Sequence, residues 1–163
     1  MLSAIRPNRR AFSLIELVIV VVIIGIIAAI AIPRMSRGAT GANDSALSGN
    51  LAVLRKAVDL YQAEHDGAYP GATTIADQLT KRTNAAGTVQ PTPGTDDNLY
   101  PFGPYLRAIP PLSVGANKGQ TAFHAGAVGA ANYGWHYTAS TGVVKANAAD
   151  GELDATGKKY NEY

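Results

Sequence analysis

The 163-residue chain contains no cysteine, so it forms no disulfide and offers no thiolate to a zinc site. Histidine is scarce as well. His65, His124 and His136 are the only imidazoles, and their spacing matches neither H-E-x-x-H nor a zinc-ribbon pattern, so they read as surface or turn residues. No G-x-S-x-G and no Walker A loop is present. Nothing here argues for an enzyme. The length sets a further bound, because one membrane-length segment plus a soluble domain of about 120 residues leaves a modest core and no large active-site architecture.

What the chain does have is one long apolar run. Residues 11–32 read AFSLIELVIVVVIIGIIAAIAI, with a single carboxylate, Glu16, near the start, directly after Arg6, Arg9 and Arg10. From Phe12 to Ile32 the 21 residues span about 31 Å as a helix, roughly the hydrocarbon thickness of a bilayer. An ionised acid in such a run costs about 2.5–3.5 kcal/mol at the helix centre on insertion scales. Glu16 therefore asks for a partner. A secretory signal would have a shorter apolar core followed by a small-residue cleavage site, whereas apolar character here continues through Ile32. With the arginines in front, the positive-inside rule places the leader in the cytoplasm, and everything after Arg34 on the far side of a membrane.

The order of a basic leader, Ala11, then Phe12, Ser13, Leu14, Ile15, Glu16 and the apolar run resembles the N-terminus of the type IV pilin and pseudopilin superfamily. The resemblance implies cleavage by a prepilin peptidase between Ala11 and Phe12, methylation of the new amine, and a need for Glu16 in filament assembly. Ala11 stands where the family usually has Gly. Removal of residues 1–11 takes Lys+Arg from 14 to 11 against 12 acids and the formal charge from +2 to −1, so the basic pI does not argue for nucleic acid. Major type IV pilins commonly close a C-terminal loop with a disulfide, and this chain has no cysteine for one.

Beyond the run, Pro33 removes a backbone donor and crowds the preceding turn, and Gly38, Gly41 and Gly49 follow. The expectation is a bend at Pro33 or local melting between Pro33 and Gly41. Leu47, Leu51, Leu54, Val58 and Tyr61 then recur at intervals of four and three, a one-sided helical stripe suited to cover a sheet. Gly67 and Pro70 end the helix. Gly67-Ala68-Tyr69-Pro70 resembles the G-x-Y-P that follows the long helix in type II secretion major pseudopilins. Thr73 to Arg82 reads as a short helix with Ile75 and Leu79 on one side, and residues 84–98 as an exposed loop. Gly103-Pro104-Tyr105-Leu106 and Ile109-Pro110-Pro111 again resemble pseudopilin elements, while the frequent D-P-W-G is absent. Tyr133 to Tyr137 and Val143 to Ala146 flank a Gly-containing turn and predict an antiparallel hairpin, with Trp135 and Tyr137 in the core.

Asp150, Glu152 and Asp154 alternate in the acidic tail, a spacing of oxygen ligands that Ca²⁺ can use. A solvated tail is the plainer reading of the same residues. The resemblance supports calcium, because major pseudopilins of type II secretion bind it near their C-terminal hairpin.

These readings combine into a pilin-like α+β fold with a leader at 1–11, a transmembrane and assembly helix at 12–33, and a globular domain at 34–163. The long helix packs on a small antiparallel β-sheet. The implied function is a structural subunit of a periplasmic pseudopilus for type II protein secretion. Its partners would be further copies of itself, the prepilin peptidase and methylase, an inner-membrane assembly platform, minor pseudopilins and membrane lipid. A surface type IV pilus subunit is the neighbouring alternative, and a membrane-anchored binding domain that never polymerises is the alternative from another class.

Overall fold

The computed structural model describes residues 12–94 and 96–163. The chain divides into two compact units, one ending at Ala39 and the other spanning Thr40–Tyr163. Helix α1, Leu14–Glu64, contributes to both. Its helical backbone runs without interruption through Pro33, Gly38 and Gly41, so the local melting expected there does not occur. Pro33 lies within a run whose flanking residues are good helix formers, and the loss of one hydrogen-bond donor leaves the neighbouring turns intact.

In the first unit, Leu14–Ile32 is the one segment among the described residues that is long and apolar enough to cross a membrane. Its large side chains are exposed, as in Ile15 at 63%, Val21 at 61% and Ile27 at 60%. The second half of α1 behaves differently. Leu47, Leu51, Leu54, Val58 and Tyr61 are all buried, as their spacing requires, and Ala57 joins them. The helix closes with Asp66 and Gly67 both in the left-handed region at φ 54° and 85°, and Gly67 N–H donates to the Gln62 carbonyl.

Helix α2, Ile75–Thr80, buries Ile75 and Leu79. Three short strands follow: β1 Phe123–His124, β2 Trp135–Thr138 and β3 Val143–Ala146, in the order β1-β2-β3. Strands β2 and β3 form the expected antiparallel hairpin, with Trp135 opposite Ala146 and Tyr137 opposite Val144 on the core face. The sheet as a whole is mixed. β1 runs parallel to β2, pairing Phe123 with Trp135 and His124 with His136. The purely antiparallel expectation is corrected because the segment joining β1 to β2 is a crossing loop, not a two-residue turn, and the two strands enter from the same end.

The core aromatics carry polar atoms, and each finds a carbonyl at a proline turn. Trp135 Nε1–H donates to the Pro110 carbonyl at 2.8 Å, and Tyr137 O–H to the Pro70 carbonyl at 2.9 Å. The two proline segments thus serve as acceptors for the sheet. Tyr69 lies over Gly142 at the hairpin tip, where φ is 69° and an added Cβ would come within 2.3 Å of the ring. Tyr105 and Leu106 N–H groups both donate to the Leu79 carbonyl, which docks that segment on the end of α2.

Residues 84–98 are only partly the exposed loop expected. Asn84 Oδ1 accepts from the Ala86 and Thr88 N–H groups, Gln78 Nε2 donates to the Gly87 carbonyl, and Gln90 is buried. Short polar side chains hold the first half against α2 and leave residues from Pro91 outward.

These contacts set a contrast within α1. Leu54→Ala should destabilise the Thr40–Tyr163 unit by about 2–5 kcal/mol, because a fully buried side chain leaves a cavity. Val53→Ala, one residue away and 49% exposed, should change it by about 0.5 kcal/mol or less. Urea unfolding of a soluble fragment beginning at Thr40 measures both.

Candidate functional site

The described N-terminus begins with Phe12, which is 85% exposed and precedes the helix. Ala11, the other half of the expected processing site, and the leader 1–11 lie outside the described residues. Ser13 is the N-cap of α1: its carbonyl accepts the first helical hydrogen bond, from Leu17 N–H at 3.2 Å, and its Oγ accepts from Ile15 N–H at 3.3 Å. Glu16 reaches back, with Oε2 accepting from Ser13 N–H at 2.9 Å. This is the reciprocal Ser-x-x-Glu capping box. The single acid of the apolar segment therefore already has a partner within its own chain. Two donors that would stand open at the helix start are satisfied, and the carboxylate faces the positive end of the helix dipole. Sequence reasoning assigned Glu16 to assembly and missed Ser13. The signal was present, since Ser followed by Glu three residues later at the head of an apolar run is a helix-start signature.

The carboxylates expected to bind calcium are arranged separately. Asp150 Oδ1 accepts from Asn161 Nδ2 at 3.0 Å and faces Lys159 Nζ at 3.4 Å. Glu152 accepts from Ala149 N–H at 2.8 Å and from Ala116 N–H, tying the tail to a neighbouring loop. Asp154 accepts from Thr156 and Lys158 N–H groups at 2.7 and 2.9 Å and from the Tyr163 hydroxyl. Among the described residues no group of three or more histidines and carboxylates converges as a metal centre.

The tail is fastened to α1 and to itself. Tyr160 O–H donates to Asp44 Oδ1 at 2.8 Å, and Arg55 Nη2 donates to the Tyr163 carbonyl at 2.7 Å and to the Val144 carbonyl at 3.1 Å. Lys158 Nζ lies 4.0 Å from the centre of the Tyr163 ring. The hydrogen bonds to Tyr163 and Thr156 hold Asp154 well below the usual carboxylate range, and those from Asn161 and Lys159 lower Asp150. The Tyr163 hydroxyl, donating to Asp154, is pushed up to about 12.

The histidines depart from expectation at one position. His65 is buried: Nδ1 bonds the Tyr61 carbonyl at 2.8 Å, Nε2 meets Thr83 Oγ1 at 3.0 Å, and its ring stacks on Tyr61 at 3.8 Å. It continues the 47-51-54-58-61 stripe by four residues, so the helical period carried it inward. His124 and His136 are half-buried neighbours on β1 and β2.

A helix whose start is exposed, capped and apolar, joined to a small α+β domain, is the arrangement of a pilin-like fold. Residues 6–32 match the family model of the prokaryotic N-terminal methylation motif, so the chain carries a type IV pilin-like prepilin N-terminus. No curated protein and no solved structure matched the chain.

The tail contacts have a defined pH dependence. Asp150 and Asp154 are lowered in the folded state, so their contribution is complete above the unfolded carboxylate pKa of about 3.9 and is lost as pH falls below it. Tyr163 is raised, so its contribution is present below about pH 10 and is lost as pH rises toward about 12. Asp154→Asn should flatten both limbs of a Tm-versus-pH curve of the soluble fragment. Unchanged limbs would show that the tail does not report on folding.

Proposed function

We propose that this chain is a structural subunit that polymerises into a helical filament, specifically the periplasmic pseudopilus of a type II secretion machine. The observation that supports this reading is the Leu14–Ile32 segment. It is apolar on all sides and exposed, and it carries one acid, in its first turn, within a matched methylation motif. Such a segment has two apolar environments open to it: lipid, or the same segment of other copies.

In this mechanism the subunit waits in the inner membrane with its leader cytoplasmic and its domain periplasmic. Prepilin peptidase removes residues 1–11, and the Phe12 amine is methylated. Extraction from lipid into a bundle of α1 helices exchanges one apolar contact for another, so burial alone is nearly neutral. Direction and register then come from packing and from Glu16 pairing with the Phe12 amine of an adjacent copy. The capping box adds a step to this account, since Glu16 engages its own Ser13 before it engages a neighbour. The role is mechanical and not catalytic. The lack of cysteine favours the pseudopilus over a surface pilus, whose major subunits commonly close a loop with a disulfide.

Two measurements test the proposal. Intact mass of the protein from native membranes should correspond to a chain beginning at N-methylated Phe12, and a full-length mass would overturn processing. Filament yield at equal membrane abundance separates two roles of Glu16. Glu16→Gln retains the capping geometry and loses the charge, whereas Glu16→Ala loses both. If charge pairing drives assembly, both variants should fail to form filaments. Normal filaments from Glu16→Gln would reduce Glu16 to a member of the capping box.

A further inference from the structure

The capping box at the start of α1 lies beside the bond that maturation would cut. In an α-helix each N–H donates to the carbonyl four residues earlier, so a helix continued upstream of Leu14 would send Ile15 N–H to the Ala11 carbonyl and Ser13 N–H to the Arg9 carbonyl. Neither amide is spent that way. Ile15 N–H donates to Ser13 Oγ at 3.3 Å, and Ser13 N–H to Glu16 Oε2 at 2.9 Å. The first regular bond of the helix comes later, from Leu17 N–H to the Ser13 carbonyl. Phe12 precedes the helix and is 85% exposed.

The residue types upstream do not by themselves impose this start. Arg9, Arg10 and Ala11 are good helix formers, and Pro7 suits a first helical position. The side chains of Ser13 and Glu16 therefore compete with the backbone for amides that a longer helix would need. The competition matters because the Ala11 carbonyl belongs to the Ala11–Phe12 bond, inside the matched methylation motif at residues 6–32. A carbonyl bonded within a helix has to be unwound before a peptidase can hold it, and cleavage concentrates where backbone is exposed and unpaired.

We propose that Ser13 is a positioning residue for leader removal: its hydroxyl takes the Ile15 amide that would otherwise bond the scissile carbonyl, and so ends the helix short of the bond to be hydrolysed. In that reaction water adds across Ala11–Phe12, leaving a carboxyl on Ala11 and the Phe12 amine that is afterwards methylated. Glu16 assists by holding Ser13 N–H, a role separate from pairing with a neighbouring copy. This inference rests on the processing step of the reading above, and it gives the Ser-x-x-Glu spacing a task that precedes assembly.

The test follows full-length precursor in native membranes with its peptidase, reading loss of residues 1–11 by mass at equal abundance. Thr and Val have nearly the same shape and differ in the hydroxyl, so they separate capping from size. Ser13→Thr should be cut at close to the wild-type rate, and Ser13→Val roughly 2- to 30-fold more slowly, the population change that loss of an N-cap permits. Glu16→Gln should be cut like wild type, because its amide oxygen still accepts from Ser13 N–H. In detergent micelles without peptidase, the NMR signal of the Ala11 carbonyl carbon should move toward its helical value in Ser13→Val and stay in place in Ser13→Thr. Equal rates for the Thr and Val variants, whether fast or slow, would overturn the role of Ser13 and leave processing standing. Slower cutting of Ser13→Val without the carbonyl shift would assign the hydroxyl to direct recognition by the peptidase and overturn it as well. A wild-type chain that is never cut would overturn both.

Discussion

One helix has to be stable in two media, and the rest of the molecule follows from that constraint. In its first half α1 is apolar on every side, and its large side chains are exposed. In its second half the same helix is apolar along a single stripe and is covered completely there. The change falls in the small-residue stretch near Ala39, where the two compact units meet in sequence. That stripe supplies Leu47, Leu51, Leu54, Ala57, Val58 and Tyr61 to the same core as the aromatics of β2. The sheet is too short to be stable alone, and the helix supplies the missing layer.

Glu16 shows how one residue serves the same constraint twice. A carboxylate in an apolar segment is tolerated where donors are at hand, and the start of a helix is where backbone donors are unpaired. Placing the acid at the third helical position lets it satisfy the Ser13 N–H within a single chain. In the proposed filament the same placement would serve Phe12, whose amine would become a charge on removal of the leader. A carboxylate deeper in the run would have neither partner. Position along the helix, and not the mere presence of an acid, makes the residue usable.

The C-terminal tail solves a different problem. It buries little apolar surface beyond the Tyr160 ring, and it is held by single polar contacts to fixed points: Asp44 and Arg55 on α1, Asn161 within the tail, and the Ala116 amide. Asn147 plays the corresponding part inside, where its side chain joins Gly129, Ala130 and Tyr133 and is fully buried. Buried amides of this kind are stable because every donor and acceptor is used. The acidic spacing that suggests a cation in the sequence is occupied in the fold by amides, a hydroxyl and Lys159.

The sequence by itself determined the elements whose signal is periodic or punctuated. Those are the apolar run, the 47-51-54-58-61 stripe, the stop at Gly67 and Pro70, the short helix around Ile75 and Leu79, and the β2–β3 hairpin with its inward Trp135 and Tyr137. Each depends on residues close in the chain, so a local pattern suffices. Tertiary structure alone decided the rest. A two-residue strand such as β1 has no period to read, and its parallel pairing is set by where the crossing loop returns. His65 looked like a turn residue because its neighbours are polar, and its burial depends on Thr83 closing over it. The separation of Asp150, Glu152 and Asp154 is likewise a long-range fact. Alternation places carboxylates near one another in sequence, but each is also reached by a donor from elsewhere, the Ala116 amide, the Asn161 side-chain amide or the Tyr163 hydroxyl, and only the folded chain brings those into range.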